Sequence, residues 1–346
     1  MNGKSARERG VRARRGGSFR VEWPTLALIA GCYAFWFWAG AYLFPLMPVL
    51  ALILMGVAVA LHSSLQHEVL HGHPTRSAAI NEALIFLSIG LFYPYRRYKQ
   101  THLQHHADER LTDPYDDPES YYRALADWRK LPSFLKMLLR LNNTLLGRVS
   151  IGPALMVAGF FISEGKKLRA GDRKMRSAWL LHLAGLLPVL LIISFVFGIP
   201  LWLYALTSAY LGLSIIAIRT YCEHQWSERP DGRTIIVEKS ILAPLFLNNN
   251  LHFVHHKQPR AAWYELPALY RARREEWQRM NEGYVFRNYL EVLRAFALSI
   301  KEPVVHPAWR RGEAETAPDQ AFRPRRFHVN IHGGATAPIP AEPKHE

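Results

Sequence analysis

His252-Phe253-Val254-His255-His256 is the stretch on which the reading of this chain turns. It follows three asparagines, Asn248, Asn249 and Asn250, and its spacing is H-x-x-H-H. The same spacing occurs at His102-Leu103-Gln104-His105-His106, and a shorter cluster, His67-Glu68-Val69-Leu70-His71, reads H-x-x-x-H. On a helix, residues three and four apart share a face, so His102 neighbours both His105 and His106, and His252 neighbours both His255 and His256. Adjacent histidines diverge by roughly 100° around the helix axis. One member of each pair can therefore serve one metal and its neighbour a second. A lone histidine carries no such message, but three clusters at ligand spacing do.

The chain has 346 residues, 49% of them hydrophobic, and a formal net charge of +15. The apolar residues are gathered into long uncharged runs separated by basic stretches. Such a charge suits nucleic acid or anionic lipid. With apolar runs present, lipid is the expected partner and nucleic acid is not. There are two cysteines, Cys32 within an apolar run and Cys222 just past another, and no C-x-x-C. That argues against a disulfide and against a built-in iron–sulfur centre. Neither G-x-G-x-x-G nor a Walker A sequence is present, so the chain has no evident nucleotide site.

Four runs are long enough to cross a bilayer core: Thr25 to Phe44, Val49 to Leu65, Trp179 to Phe197 and Leu201 to Ile218. The second continues without a break into His67 and His71, and Pro74 ends it. Ile80 to Tyr93 and Ile151 to Ile162 are apolar but too short to cross, so both are expected to be re-entrant or interfacial. His182 lies inside the third span, where a packed or hydrogen-bonded role is expected. No Lys or Arg occurs from Thr25 to His73 or from Ser177 to Ile218. By the positive-inside rule, a four-span layout then places both termini, all three clusters and His224 on the cytoplasmic side. Leu290, Leu293, Phe296, Ala297 and Ile300 repeat at helical spacing, which predicts an amphipathic helix. The expected fold is an all-α integral membrane protein, with four transmembrane helices and a cytosolic helical cap carrying the histidine clusters. The expected divisions are a basic disordered N-terminus over 1–22, a membrane domain over 23–300 and a disordered tail over 301–346, in which His306, His328, His332 and His345 are taken as unstructured.

The clusters supply eight histidines, and His224, about one helical turn past Arg219, is a candidate ninth. A zinc ion takes about four ligands, so this number suits two metals of higher coordination. Imidazole suits iron, copper, nickel and zinc, and a redox pair of irons is the simplest choice. Two other classes remain open. His67-Glu68-Val69-Leu70-His71 is also H-E-x-x-H, the zinc-protease signature with glutamate as general base. That reading leaves two H-x-x-H-H clusters unexplained. A metal transporter would carry its ligands near the membrane midplane, whereas these gather at one end of the spans.

In order and spacing the three clusters resemble the histidine boxes of the integral-membrane fatty acid desaturase/hydroxylase superfamily. The resemblance covers roughly Trp23 to Tyr270. His67-Glu68-Val69-Leu70-His71-Gly72-His73, the Asp-Pro segment after the second box and His256-Lys257-Gln258-Pro259 through Trp263-Tyr264-Glu265-Leu266-Pro267 are similar to bacterial acyl desaturases. This implies an oxygen-dependent desaturase of a fatty acyl lipid in a bacterial inner membrane, with two iron ions (Fe2+/Fe3+) and O2 as co-substrate. The implied ligands are His67, His71, His102, His105, His106, His252, His255 and His256, with His224 as the further histidine the family often has before the third box. Hydroxylation or ketolation of a carotenoid, alkane or other lipid is the alternative on the same scaffold. No haem-binding H-P-G-G segment is fused to the chain, so electrons come from an external donor such as a ferredoxin or cytochrome. The chain lacks the Glu-x-x-His pattern of soluble di-iron bundles. Its carboxylates Glu68, Asp113, Asp116, Asp117 and Glu223 are instead candidates to hold the outer imidazole N–H groups, and Asn250, or its neighbours Asn248 and Asn249, to orient a metal-bound water.

Overall fold

The computed structural model describes residues 21–107 and 110–308. Four helices are long and apolar enough to cross a membrane: α1 (Trp23–Leu43), α2 (Pro48–Leu70), α9 (Arg173–Val196) and α10 (Leu201–Thr220). Between the two pairs lie α3 (Ala78–Leu84), α4 (Tyr95–Ala107), α5 (Leu125–Lys130), α6 (Ser133–Asn142), α7 (Leu145–Ser150) and α8 (Gly152–Arg169). After α10 come β1 (Ile236–Val237), α11 (His252–Lys257), α12 (Leu266–Ala272), α13 (Arg274–Met280), β2 (Val285–Phe286) and α14 (Tyr289–Phe296). The two short strands pair in parallel, a small departure from the all-helical expectation.

The local signals are conventional. Pro24 and Pro48 stand in the first turns of α1 and α2, where a missing N–H costs nothing. Asp172, Ser77, Thr144 and Asn288 cap α9, α3, α7 and α14 by accepting from free backbone N–H groups. The long helices are apolar all round, and much of that surface stays uncovered: Leu180, Leu187 and Phe195 of α9 are 69%, 57% and 81% exposed. Such faces belong against lipid rather than water. Small residues bring α2 and α10 together. A Cβ at Gly212 would lie 2.4 Å from Val59, and one at Gly56 would lie 2.8 Å from Leu211, so only glycine allows this approach.

The segment after α3 enters the span bundle without regular structure. Its carbonyls are met by side chains of the long helices: Tyr33 donates to Leu87 O (3.2 Å), Tyr204 to Ile89 O (2.8 Å) and His182 Nε2 to Leu91 O (2.9 Å). Trp36 in turn donates to the Tyr204 hydroxyl (2.8 Å). Irregular backbone at membrane depth requires such partners. His182, on α9 and also 3.1 Å from Ser88 Oγ, is thus a hydrogen-bonding partner of this segment.

Two sequence expectations need correction. The predicted amphipathic helix ends at Phe296, short of Ile300, and its buried stripe is Tyr289, Val292 and Phe296, with Leu290 and Leu293 exposed on the other side. The tail does not begin at residue 301. Residues 301–306 run back across the extramembrane domain: Arg123 N–H donates to Val304 O (2.8 Å) and His306 N–H to Arg123 O (2.9 Å). His306 is buried, stacked on Trp226 and 3.2 Å from Thr112 Oγ1. Extended backbone bonding, with no apolar periodicity, left no trace for pattern reading. His328, His332 and His345 lie outside the described residues, as does most of the N-terminal stretch.

Candidate metal centre

Four elements bring the histidines together. His67 and His71, one turn apart, project from the end of α2. Helix α4 carries His102, His105 and His106, and α11 carries His252, His255 and His256. His224 is not helical. It sits in an extended segment just after α10, paired across to Thr234, with Gln225 N–H donating to Arg233 O (3.0 Å) and Ile235 N–H to Glu223 O (3.0 Å). Helix α11 follows a turn in which Leu247 and Asn248 adopt positive φ (51° and 57°), a conformation asparagine tolerates better than most residues.

The nine imidazoles form two groups. His67, His71, His102, His106 and His255 make one, and His105, His224, His252 and His256 the other, with the candidate ligand atoms in each group within 4.8 Å of one another. Adjacent histidines part company as helical geometry requires: His106 joins the first group and His105 the second, and His255 and His256 divide likewise.

Hydrogen bonding shows which face of each ring is committed. His102 Nδ1 lies 2.9 Å from Glu119 Oε1, His105 Nδ1 2.8 Å from Asp117 Oδ1 and His252 Nδ1 3.0 Å from Asn249 Oδ1. Each oxygen accepts the Nδ1 proton, which leaves Nε2 as the lone-pair nitrogen. In the five-histidine group all five Nε2 atoms are buried and have no hydrogen-bond partner among the described residues. In the four-histidine group the Nε2 atoms crowd each other: His224 lies 3.0 Å from His105 and 3.1 Å from His252, and His252 lies 3.1 Å from His256. Without a metal each such contact needs a proton on one of its two nitrogens, whereas a single cation at the centre takes the lone pairs of all four. Two nitrogens on opposite sides of one ion, at about 2.1 Å each, lie about 4.2 Å apart, close to the spread observed. The residues therefore fit one metal ion per group.

Burial and then the neighbouring rings push His252, His255, His256, His106 and His224 well below the usual imidazole range, and His71 down to about 3. Neutral imidazole is the form that binds metal. His105 is the exception. Burial works against its charge, but Glu119 and Asp117 outweigh that and push it up to about 9, so a cation at its Nε2 displaces a proton. Glu119 is held well below the carboxylate range: burial opposes this, and His102 and His105 overcome it.

The carboxylates assigned from sequence divide sharply. Asp117 stands on His105. Glu223 pairs with Arg219 (2.7 Å) and lies 3.6 Å from His252 Nδ1. Asp113 and Asp116 do not reach the rings: Asp113 accepts from the N–H groups of Tyr115 and Asp116, shaping the loop, and Asp116 pairs with Arg110. Glu68 turns away too. Its Oε1 accepts from Trp263 N–H (2.9 Å) and lies 3.8 Å from His73 Nε2, while His73 Nδ1 contacts Glu22 (2.7 Å). Glu22, Glu68 and His73 thus form a separate cluster joining the start of α1 to the end of α2. With Glu68 so placed, the H-E-x-x-H stretch lacks its general base, and the protease reading fails. Asn250 donates its amide to Val237 O (2.7 Å) and its Oδ1 has no partner among the described residues, whereas Asn249 Oδ1 faces the His252 ring. Sequence reading missed Glu119, which stands two residues past Asp117 in the same acidic loop.

Comparison with protein-family models matches residues 43–288 to the family described as fatty acid desaturase. The chain belongs to the fatty acid desaturase family. Comparison with curated proteins gave no match. The matched segment of this family member runs from the end of α1 to just short of α14. It contains all nine histidines, Asp117, Glu119 and Asn249, and excludes residues 301–306. Loss of the partners of Nδ1 gives a direct check: Asp117→Asn and Glu119→Gln should each lower metal affinity or turnover by about 10–100-fold, measured as metal content and product formation, while Asp113→Asn should change neither.

Proposed function

We propose that the protein is a membrane-bound, oxygen-dependent desaturase that introduces a double bond into a fatty acyl chain, with the nine histidines holding two iron ions. The observation that carries this is the five-fold set of buried, unpartnered Nε2 atoms beside a second group of four. It asks for two cations with imidazole ligands and leaves no carboxylate in either group. Iron bound there supplies the oxidising power, drawn from dioxygen, to remove hydrogen from an unactivated C–H bond. The overall change removes two hydrogens from adjacent carbons and reduces one O2 to two waters, with two electrons from an external ferredoxin or cytochrome and two protons from solvent.

The chain's own residues hold and orient. Glu119, Asp117 and Asn249 fix the tautomers of His102, His105 and His252. The walls keep His67, His102, His105, His252 and His255 from water. Acyl chains reach the site from the bilayer, against which the long helices lie. Expression of the protein followed by lipid analysis tests the reaction. New double bonds should appear with the intact chain, carried by two irons per chain, and a hydroxylated product or a single zinc would replace this reading. The charge pattern supports a layout with both termini and both histidine groups on the cytoplasmic side. Reporter fusions after Phe44 and after Gly198 should therefore report the far side, and a cytoplasmic signal at either would sink the four-span topology.

A further inference from the structure

Beside the four-histidine group lies a cavity of about 70 Å3, lined by His224, Glu223, Tyr121, Tyr221, Arg148 and Lys301 among others. Arg148, on α7, is only 2% exposed. Its guanidinium is fixed in place. Nε donates to Asn142 O (3.0 Å), and Cζ lies over the Tyr121 ring, 3.7 Å from the centroid. Nη1 remains without a hydrogen-bond partner among the described residues.

The other charged groups of the cavity are already matched. Lys301 pairs with Glu302 (3.2 Å) and donates to His224 O (2.6 Å), Glu223 pairs with Arg219, and Asp117 and Glu119 stand on their histidines. Arg148 forms no ion pair among the described residues. A buried guanidinium with an idle N–H and no counter-ion is costly unless something else supplies an oxygen acceptor. On the measure in which one water needs about 10–15 Å3, the space takes a few waters or one small oxyanion.

We propose that this cavity binds the oxyanion head, carboxylate or phosphate, of the acyl substrate, with Arg148 as its donor and the chain leaving by the cavity mouth. Resting on the desaturase reading, this names the end of the substrate that the site recognises. A rigid, pre-stacked guanidinium recognises such a group at little cost in ordering.

The test uses the purified full-length protein in neutral detergent, with binding measured by calorimetry and metal content by elemental analysis. The ligands are palmitate, hexadecyl phosphate, hexadecanol and acetate, and the proteins are wild type, Arg148→Gln and Arg148→Lys. The expected result is that Arg148→Gln weakens the better-bound of palmitate and hexadecyl phosphate about tenfold or more. Arg148→Lys should weaken it less, and hexadecanol binding and iron content should stay at wild-type values. The stronger of the two anionic ligands identifies the head. Unchanged binding of both in Arg148→Gln, equal loss of hexadecanol, or loss of iron in both variants would overturn the proposal. Acetate binding as tightly as palmitate would reduce the cavity to an adventitious anion hole and overturn it too. If the wild-type protein held no iron, the desaturase reading would fail, while the contrast between palmitate and hexadecanol would still be readable from binding alone.

Discussion

His105→Ala should abolish turnover and strip iron from the four-histidine group. Its loss leaves that group with His224, His252 and His256. It also frees Asp117, a 2%-exposed carboxylate whose Oδ1 is 2.8 Å from the His105 ring, in a site now short of positive charge. Removing one partner of a buried charged pair is strongly destabilising. The loss of activity should therefore exceed the ~10–100-fold expected for Asp117→Asn, where the ligand itself remains. Elemental analysis and product assay of the purified variant check this. A variant retaining two irons would remove His105 from the centre.

His224→Ala should come close to the same result, although nothing in the spacing of the chain singles that residue out. Its Nε2 lies between those of His105 and His252, at 3.0 and 3.1 Å, and so occupies the middle of the four-histidine group. Without it three histidines remain on that side, while the other five are untouched. Iron content should fall from two toward one per chain, and turnover should fall nearly as far as in His105→Ala. Lys301 donates to the backbone carbonyl of His224, which is retained in the variant, so the fold of the segment should survive. Full iron loading with near-normal turnover would leave the eight box histidines as the whole ligand set.

Much of this site was legible because helices make spacing meaningful. His102, His105 and His106 lie on one helix, as do His252, His255 and His256, and the divergence of neighbours follows from 3.6 residues per turn. The spans were legible from length and the absence of charge. His224 was placed only by its distance from the end of α10, since an extended segment imposes no periodicity on its partners. The acidic loop shows the same limit. Asp113, Asp116, Asp117 and Glu119 look alike in sequence, and only the loop's path decides that Asp117 and Glu119 reach rings while Asp113 turns back on its own backbone. Glu68 was misread for a different reason. It sits between two histidines of the centre on α2, but roughly 100° around the helix from His67, which turns it toward His73 and Trp263 N–H.

The division of the boxes between two groups has a consequence for how the protein is made. Both groups need α11: His255 completes the first, and His252 and His256 the second. Of the elements that carry these histidines α11 comes last in the chain, beginning 146 residues after His106. At about 5–20 residues per second, translation leaves His67, His71, His102, His105 and His106 at an unfinished site for roughly 7–30 s. During that interval both groups lack the histidines of α11. On the proposed reading neither group has its full set of histidines until α11 has been made, so completion of both centres is a late step of biosynthesis.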